Sequence, residues 1–175
     1  MCVMSSHMPV ELQGARVRLR PVSDADIAPL TVLAADPAIA RWWGDNEEDD
    51  IRMEVCAPRV TGWVVEVEAE VSGLLVATEE PDPDYRSVEL DIFIAAPLHG
   101  RGVGTDALRT GLRHMFEERE HHRAMMVPAA GNERAIRCYK RVGFQPVGIL
   151  READRAPEGR WRDALVMDLL AAELR

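Results

Sequence analysis

Residues 99–108 read HGRGVGTDAL, with Gly100, Gly102 and Gly104 close together and a helix-like run following at once. Glycine in ordered structure costs backbone entropy. Such a cluster therefore serves either turns that need positive φ or a ligand that must approach the backbone closely. The flanking stretches narrow the choice. SVELDIFIA (87–95) alternates as a strand, Val88, Leu90, Ile92 and Ile94 on one side and Glu89, Asp91 and Phe93 on the other. GTDALRTGLRHMFEE (104–118) repeats Ala107, Leu108, Leu112, Met115 and Phe116 at helical spacing. A strand, a glycine loop and a helix in this order aim free amides and the positive end of a helix dipole at one point. An anion fits there, and Arg101 adds charge. The loop lacks the Lys-Ser/Thr of a P-loop and the full GxGxxG spacing, which disfavours nucleoside triphosphate hydrolysis and NAD binding.

The chain has 175 residues and 47% hydrophobic content, enough for one domain with a single core. Its net charge of −9 disfavours a nucleic-acid partner and favours a cationic ligand. No apolar run approaches the roughly 18 residues of a membrane span. Cys2, Cys56 and Cys138 form no CxxC pair, so neither a disulfide framework nor a zinc site is expected, and reduced thiols in a cytoplasmic setting fit. His114, His121 and His122 read as surface residues with no third ligand nearby, so no metal is expected. Residues 1–14 read as a flexible N-terminal tail and 15–175 as a single domain.

ARVRLRPV (15–22) reads as a half-buried strand, and Ser23 with Asp26 as a capping box before a helix through Ile27, Leu30 and Leu33. Asp36 and Pro37 open a second helix. ARWWGDNEEDD (40–50) reads as a loop, and a short helix follows. WVVEVEA (63–69) and LLVATEE (74–80) read as strands about a turn at Ser72–Gly73, and RAMMVP (123–128) as a short strand. NERAIRCYKRVG (132–143) is a helix capped by Asn132 and closed by Gly143. FQPVGIL and WRDALVMDLL are two last strands joined by READRAPEGR. The mixture predicts an α+β sandwich (an α/β sandwich) with a mostly antiparallel sheet.

On the helix at 132–143, Asn132 and Tyr139 lie two turns apart and share a face. Asn offers an amide to a peptide-like ligand and Tyr offers a proton; a core aromatic is the plainer role for Tyr139. HGRGVGTDAL followed by NERAIRCYKRVGF resembles the GNAT superfamily of acyl-CoA-dependent N-acetyltransferases across roughly residues 15–170. The family's loop pattern Q/R-x-x-G-x-G/A is met here by His99, Gly102 and Gly104, with His in place of Gln or Arg. Its helix pattern N-x-x-A-x-x-x-Y-x-x-x-G-F is met at Asn132, Ala135, Tyr139, Gly143 and Phe144.

The resemblance implies a GNAT fold: a mixed sheet of six to seven strands with splayed central strands and about four helices. It implies acetyl-CoA as cosubstrate. The diphosphate would sit on His99, Gly100, Arg101, Gly102, Val103, Gly104 and Thr105, with His99 acting through its backbone. The pantetheine would pair with the strand edge at Phe93 and Ile94 and touch Asn132. Asp91 would draw the amine's proton, directly or through a water, with the water favoured by a carboxylate's ordinary basicity, and Tyr139 would protonate the departing thiolate in a direct ternary complex.

Within the superfamily the chain looks most like the aminoglycoside 6′-N-acetyltransferases, through ARWWGDNEED, VELDIFIA and the Arg-Cys-Tyr run. Trp42, Trp43, Asp45 and Glu89 would then bind a small amine, best an amino sugar. MMVPAAGN departs from that branch, offering Val127 where an acid is usual. An N-terminal or lysine acetyltransferase acting on protein is the alternative in kind. A non-catalytic acyl-CoA-binding module is the alternative in class. A second copy of the chain is compatible as a partner.

Overall fold

The strands alternate their side chains between two helical layers, and this places the site. In the computed structural model, which describes residues 10–44 and 47–175, one sheet runs through the chain. Its strands are β1 (Leu12–Gln13), β2 (Arg18–Pro21), β3 (Val60–Val67), β4 (Glu70–Glu80), β5 (Ser87–Ile94), β6 (Arg123–Met126), β7 (Gln145–Arg155) and β8 (Trp161–Leu170). They lie in the order β1-β2-β3-β4-β5-β6-β8-β7, antiparallel throughout except for the parallel pair β5–β6. The helices are α1 (Ile27–Ala34), α2 (Pro37–Trp43), α3 (Glu48–Val55), α4 (Val103–Glu117) and α5 (Glu133–Val142).

Trp63, Leu75, Val88 and Leu90 pack with Leu108, Leu112 and Met115 of α4 and Tyr139 and Val142 of α5. The intervening strand residues Val64, Leu74, Val76 and Phe93 pack with Ile27, Leu30, Ile39 and Ile51 of α1–α3. Strands β3 and β4 are thus buried on both faces, which is why they read as continuous apolar runs rather than alternating ones. No helix among the described residues is long and apolar enough to cross a membrane.

The sheet has eight strands and, among the described residues, five α-helices, more than the sequence predicts. β1 is two residues long, too short to show a period, and it starts the sheet inside the stretch expected as a tail. The expected loop at 40–50 contains the end of α2 and the start of α3. Acids that read as a solvated loop are the first turn of α3: Glu48, Asp49 and Asp50 sit at its positive end, and Asp50 reaches back to the Glu47 amide at 2.9 Å. READR, expected as a connection, continues β7, and Arg162 of β8 holds Asp154 at 2.6 Å. The expected caps form: Asp26 accepts from the Ser23 amide and Asp36 from the Ala38 amide, both at 2.8 Å.

The β3–β4 reversal falls at Glu68–Ala69, not Ser72–Gly73; both turn residues have positive φ, 54° and 66°. That is the geometry of a two-residue hairpin matched to strand twist. Gly73 lies within β4 for a different reason: a Cβ there would stand 2.2 Å from the Phe93 carbonyl oxygen. Gly73→Ala must push β4 from β5. It should cost about 1–3 kcal/mol or more, read as a lower Tm, whereas Gly148→Ala, where a Cβ meets nothing, tests alanine at an open glycine.

Of the histidines expected at the surface, His121 is interior and His114 is half-buried. His121 is buried and pairs with Glu79 at 2.8 Å, beside Arg119, because the turn after α4 folds back under β4. His114 stands edge-on to Trp63. Among the described residues no group of His, Cys, Asp or Glu is arranged to hold a metal. Cys56 is disulfide-bonded, against the expectation of reduced thiols, and Cys138 is a free thiol.

The central strands separate. β5 and β6 pair only at Val88–Ala124 and Glu89–Met125. β6 ends at Met126 and Pro128, which has no amide hydrogen to extend a ladder, follows. The chain then bridges at Ala129 to Ala164 of β8. Beyond Glu89 the two strands diverge, and a cleft opens between them.

Candidate active site

The cleft has a volume of about 680 Å³ and is walled by Asp91–Ile94 of β5, the start of α4, one side of α5, and Trp42 and Trp43 of α2. The glycine loop forms one end. Gly100 and Gly102 have φ of 76° and 83°, so both are required for the turn itself, and Gly102 is the N-cap of α4. The first intrahelical bond runs from the Asp106 amide to the Gly102 carbonyl. The amides of Val103, Gly104 and Thr105 are therefore left over at the mouth of α4. Val103 itself points its side chain into the core, so only its backbone serves the cleft. A Cβ on Gly104 would meet Ile94 and Cys138 at 3.6 and 3.7 Å. Thr105 bonds the Cys138 thiol at 3.3 Å. Arg101 is exposed and does not line the cleft. The guanidiniums on the wall are Arg134, Arg137 and Arg141, spaced along one side of α5. That i, i+3, i+7 spacing was visible in the sequence and is the signal for them.

The ring of His99 is itself engaged. Its Nε2 lies 2.7 Å from the Ile94 carbonyl oxygen and its Nδ1 2.7 Å from a guanidinium nitrogen of Arg134. The strand edge is also different from the expectation. The Ala95 amide bonds the Ser72 carbonyl on the β4 side. Backbone alternation then turns Phe93 and Asp91 toward β4 and leaves Ile92 and Ile94 facing the gap. Phe93 contributes its ring, buried and edge-on to Trp43 at 5.0 Å.

Asp91 is exposed, and its exposure is to the cleft. The protein enclosing it disfavours a charge, and Glu89 and Glu54 add repulsion; together they push its carboxyl up to about 7. An Asp so placed is a base near neutrality rather than the weak base expected. Glu54 of α3 lines the cleft and is itself pushed up by burial. Nothing in its helical surroundings marked it in the sequence, because only the packing of α3 on β3 brings it to β5. Glu89 does not line the cleft; it acts on Asp91 through its charge.

Tyr139 is buried at 7% exposure, with its ring 6.1 Å from Phe144. It lines the cleft beside Cys138. Among the described residues its hydroxyl has no hydrogen-bond partner. Burial and the nearby Asp91 hold its hydroxyl well above the ordinary phenol range. It is thus a core aromatic and a cleft hydroxyl at once. Asn132 caps α5, its Oδ1 accepting from the Ala135 amide at 3.2 Å, which leaves its NH₂ for the cleft.

Trp42 lies under the Arg41 guanidinium at 4.5 Å, with Arg162 at 5.8 Å, so cations of the chain itself already neighbour its ring. Arg162 also donates to the Trp42 carbonyl at 3.1 Å, tying β8 to the end of α2. Asp45 lies outside the described residues.

A sheet parted at its centre, a helix mouth rich in free amides, and a carboxyl and a phenol lining the gap make up the site. Residues 16–145 match the acetyltransferase (GNAT) domain, and the chain belongs to that family. It is an N-acetyltransferase. It is 27% identical over 158 residues to aminoglycoside N(6′)-acetyltransferase type 1 of Klebsiella pneumoniae, covering 79% of this chain and 78% of that one. Spermidine N(1)-acetyltransferase of Escherichia coli is 25% identical over 158 residues, covering 86% and 84%. Among solved structures, Mycobacterium smegmatis RimJ in complex with CoA-disulfide superposes with a TM-score of 0.83 at 26% identity, covering 95% and 90%.

Proposed function

We propose that the cleft binds acetyl-CoA and acetylates a primary amine of a small polycation, with an amino sugar as the preferred acceptor class. The observation that carries this reading is a cleft lined by guanidiniums and carboxyls that come from different elements. In a chain of net charge −9, three guanidiniums of α5 line the cleft with the glycine loop, and Asp91 of β5 and Glu54 of α3 line it as well. The cosubstrate's diphosphate takes the loop amides and the start of α4. Its pantetheine amides pair with the Ile92 backbone and the Ile94 amide, and Asn132 donates its amide.

The acceptor arrives as an ammonium drawn by the acids. Asp91 takes its proton, directly or through a water, and the free amine attacks the thioester carbonyl carbon. As the C–N bond forms and the C–S bond breaks, the Tyr139 hydroxyl gives its proton to the sulfur. The phenol then regains a proton from solvent in the cleft. The phenol is protonated when the thiolate develops, as the step requires.

Spermidine acetylation by one relative and aminoglycoside acetylation by another both support a polyamine-like acceptor. Asp154, on the cleft wall, is an acid where Val127 is none. CoA release measured against aminoglycosides, polyamines and short peptides tests the reading. Turnover with aminoglycosides or polyamines is the expected result, and a response to peptides alone would sink it.

A further inference from the structure

We infer that His99 is a positioning residue, which holds Arg134 over the cofactor end of the cleft and makes cosubstrate affinity depend on its own protonation. The inference rests on the acetyl-CoA reading above. Three elements meet at one imidazole. Nε2 faces the carbonyl of Ile94, at the end of β5, at 2.7 Å. Nδ1 faces Arg134, in the first turn of α5, at 2.7 Å. The other Arg134 nitrogen reaches the Ala38 carbonyl of α2 at 3.4 Å.

An arginine can only donate, so Nδ1 must accept, and a carbonyl can only accept, so Nε2 must carry the hydrogen. The contacts therefore select one neutral tautomer. Adding a proton to Nδ1 sets two N–H groups and two positive charges against each other, and Arg134 has to leave. The charged groups facing the ring are Arg134 from α5 and Asp36 from the cap of α2. Burial, with Arg134, outweighs the Ile94 carbonyl and Asp36, and the ring lies below its ordinary value of 6.5.

The consequence is specific. Arg134 is exposed and lines the cleft beside the glycine loop, with no acid paired to it among the described residues. A phosphate oxygen is the natural complement of such a guanidinium. Its long side chain is held in place by His99 on one nitrogen and Ala38 on the other, so its ordering precedes ligand binding. Below the imidazole's pKa that ordering is lost and the cosubstrate binds more weakly.

The test measures binding of dephospho-CoA by calorimetry, because this ligand lacks the phosphate monoester that itself titrates near pH 6. Wild type should lose affinity several-fold between about pH 8 and about pH 5. His99→Gln offers a donor and an acceptor without a proton to gain, so its profile should be flatter. His99→Leu should bind about tenfold more weakly at pH 8, and adding it to Arg134→Leu should cause no further loss.

Nitrogen-15 spectra of the free protein should show His99 as the Nε2–H tautomer, with its pKa rising in Arg134→Leu. Losses that multiply in the double variant, or a His99→Gln profile equal to wild type, would overturn the coupling. A protein that binds no CoA at any pH would overturn the cosubstrate reading instead.

Discussion

Asp91→Asn is expected to lower kcat by ~10²–10⁴-fold, the usual worth of a positioned general base. Asparagine keeps the size of the side chain and its place on β5, so the loss isolates the base. The wild-type profile should carry the sign of this residue. Asp91 works ionised and its carboxyl is pushed up to about 7, so turnover should rise with pH through about 7. Residual activity in Asp91→Asn should lack that step.

Stability moves the other way. A carboxyl whose folded value lies above its unfolded value favours folding most when protonated. Its contribution is fully present below the ordinary carboxylate range, near 3.8, and is lost as pH rises through about 7. The neutral asparagine should therefore raise Tm at about pH 8 and have little effect near pH 4. A variant with wild-type kcat would remove Asp91 from the chemistry. A variant less stable at pH 8 would mean that its charge is compensated by a partner in solution.

Tyr139→Phe should lower kcat by roughly 10²-fold and leave the dissociation constant for CoA within about twofold of wild type. The ring packs with Phe144 in the core under α5, and phenylalanine preserves that packing, so Tm should change little. The split between lost turnover and kept binding separates a proton donor from a core residue. Tyr139 is just over nine-tenths buried yet lines the cleft. Its burial accounts for the stability result and its hydroxyl for the kinetic one. Equal loss of binding and turnover would mean that the hydroxyl holds the cosubstrate and gives no proton.

Local chemistry was legible in the chain. HGRGVGTDAL disclosed a turn that needs glycine and a helix mouth that receives an anion, because positive φ and unpaired first-turn amides are properties of neighbouring residues. The caps at Ser23, Asp36 and Asn132 were legible for the same reason. Elements whose cues are shared with loops were not. The acids of 47–50 read as solvent-facing coil, although the same acids stabilise the first turn of α3. Ser72–Gly73 read as a turn, although Gly73 is there for the Phe93 carbonyl of a strand fourteen or more residues away in the chain.

The amino-acid order by itself determined an α+β chain with a glycine loop before a helix, Asp91 on one strand and Tyr139 on a later helix, two motifs in the order of the GNAT family. Only the tertiary structure decided which groups share the cleft. The parting of β5 from β6 turns the backbone of Ile92 and the Ile94 amide, rather than Phe93, toward the gap. The walls that close round Asp91 desolvate its carboxyl, and the packing of α3 on β3 adds the charge of Glu54 to that of Glu89, so its basicity rises. The meeting of three elements turns His99 from a loop residue into the holder of Arg134. Periodicity and capping act over a few residues of chain, whereas the proton affinity of a carboxyl and the orientation of a guanidinium depend on neighbours through space.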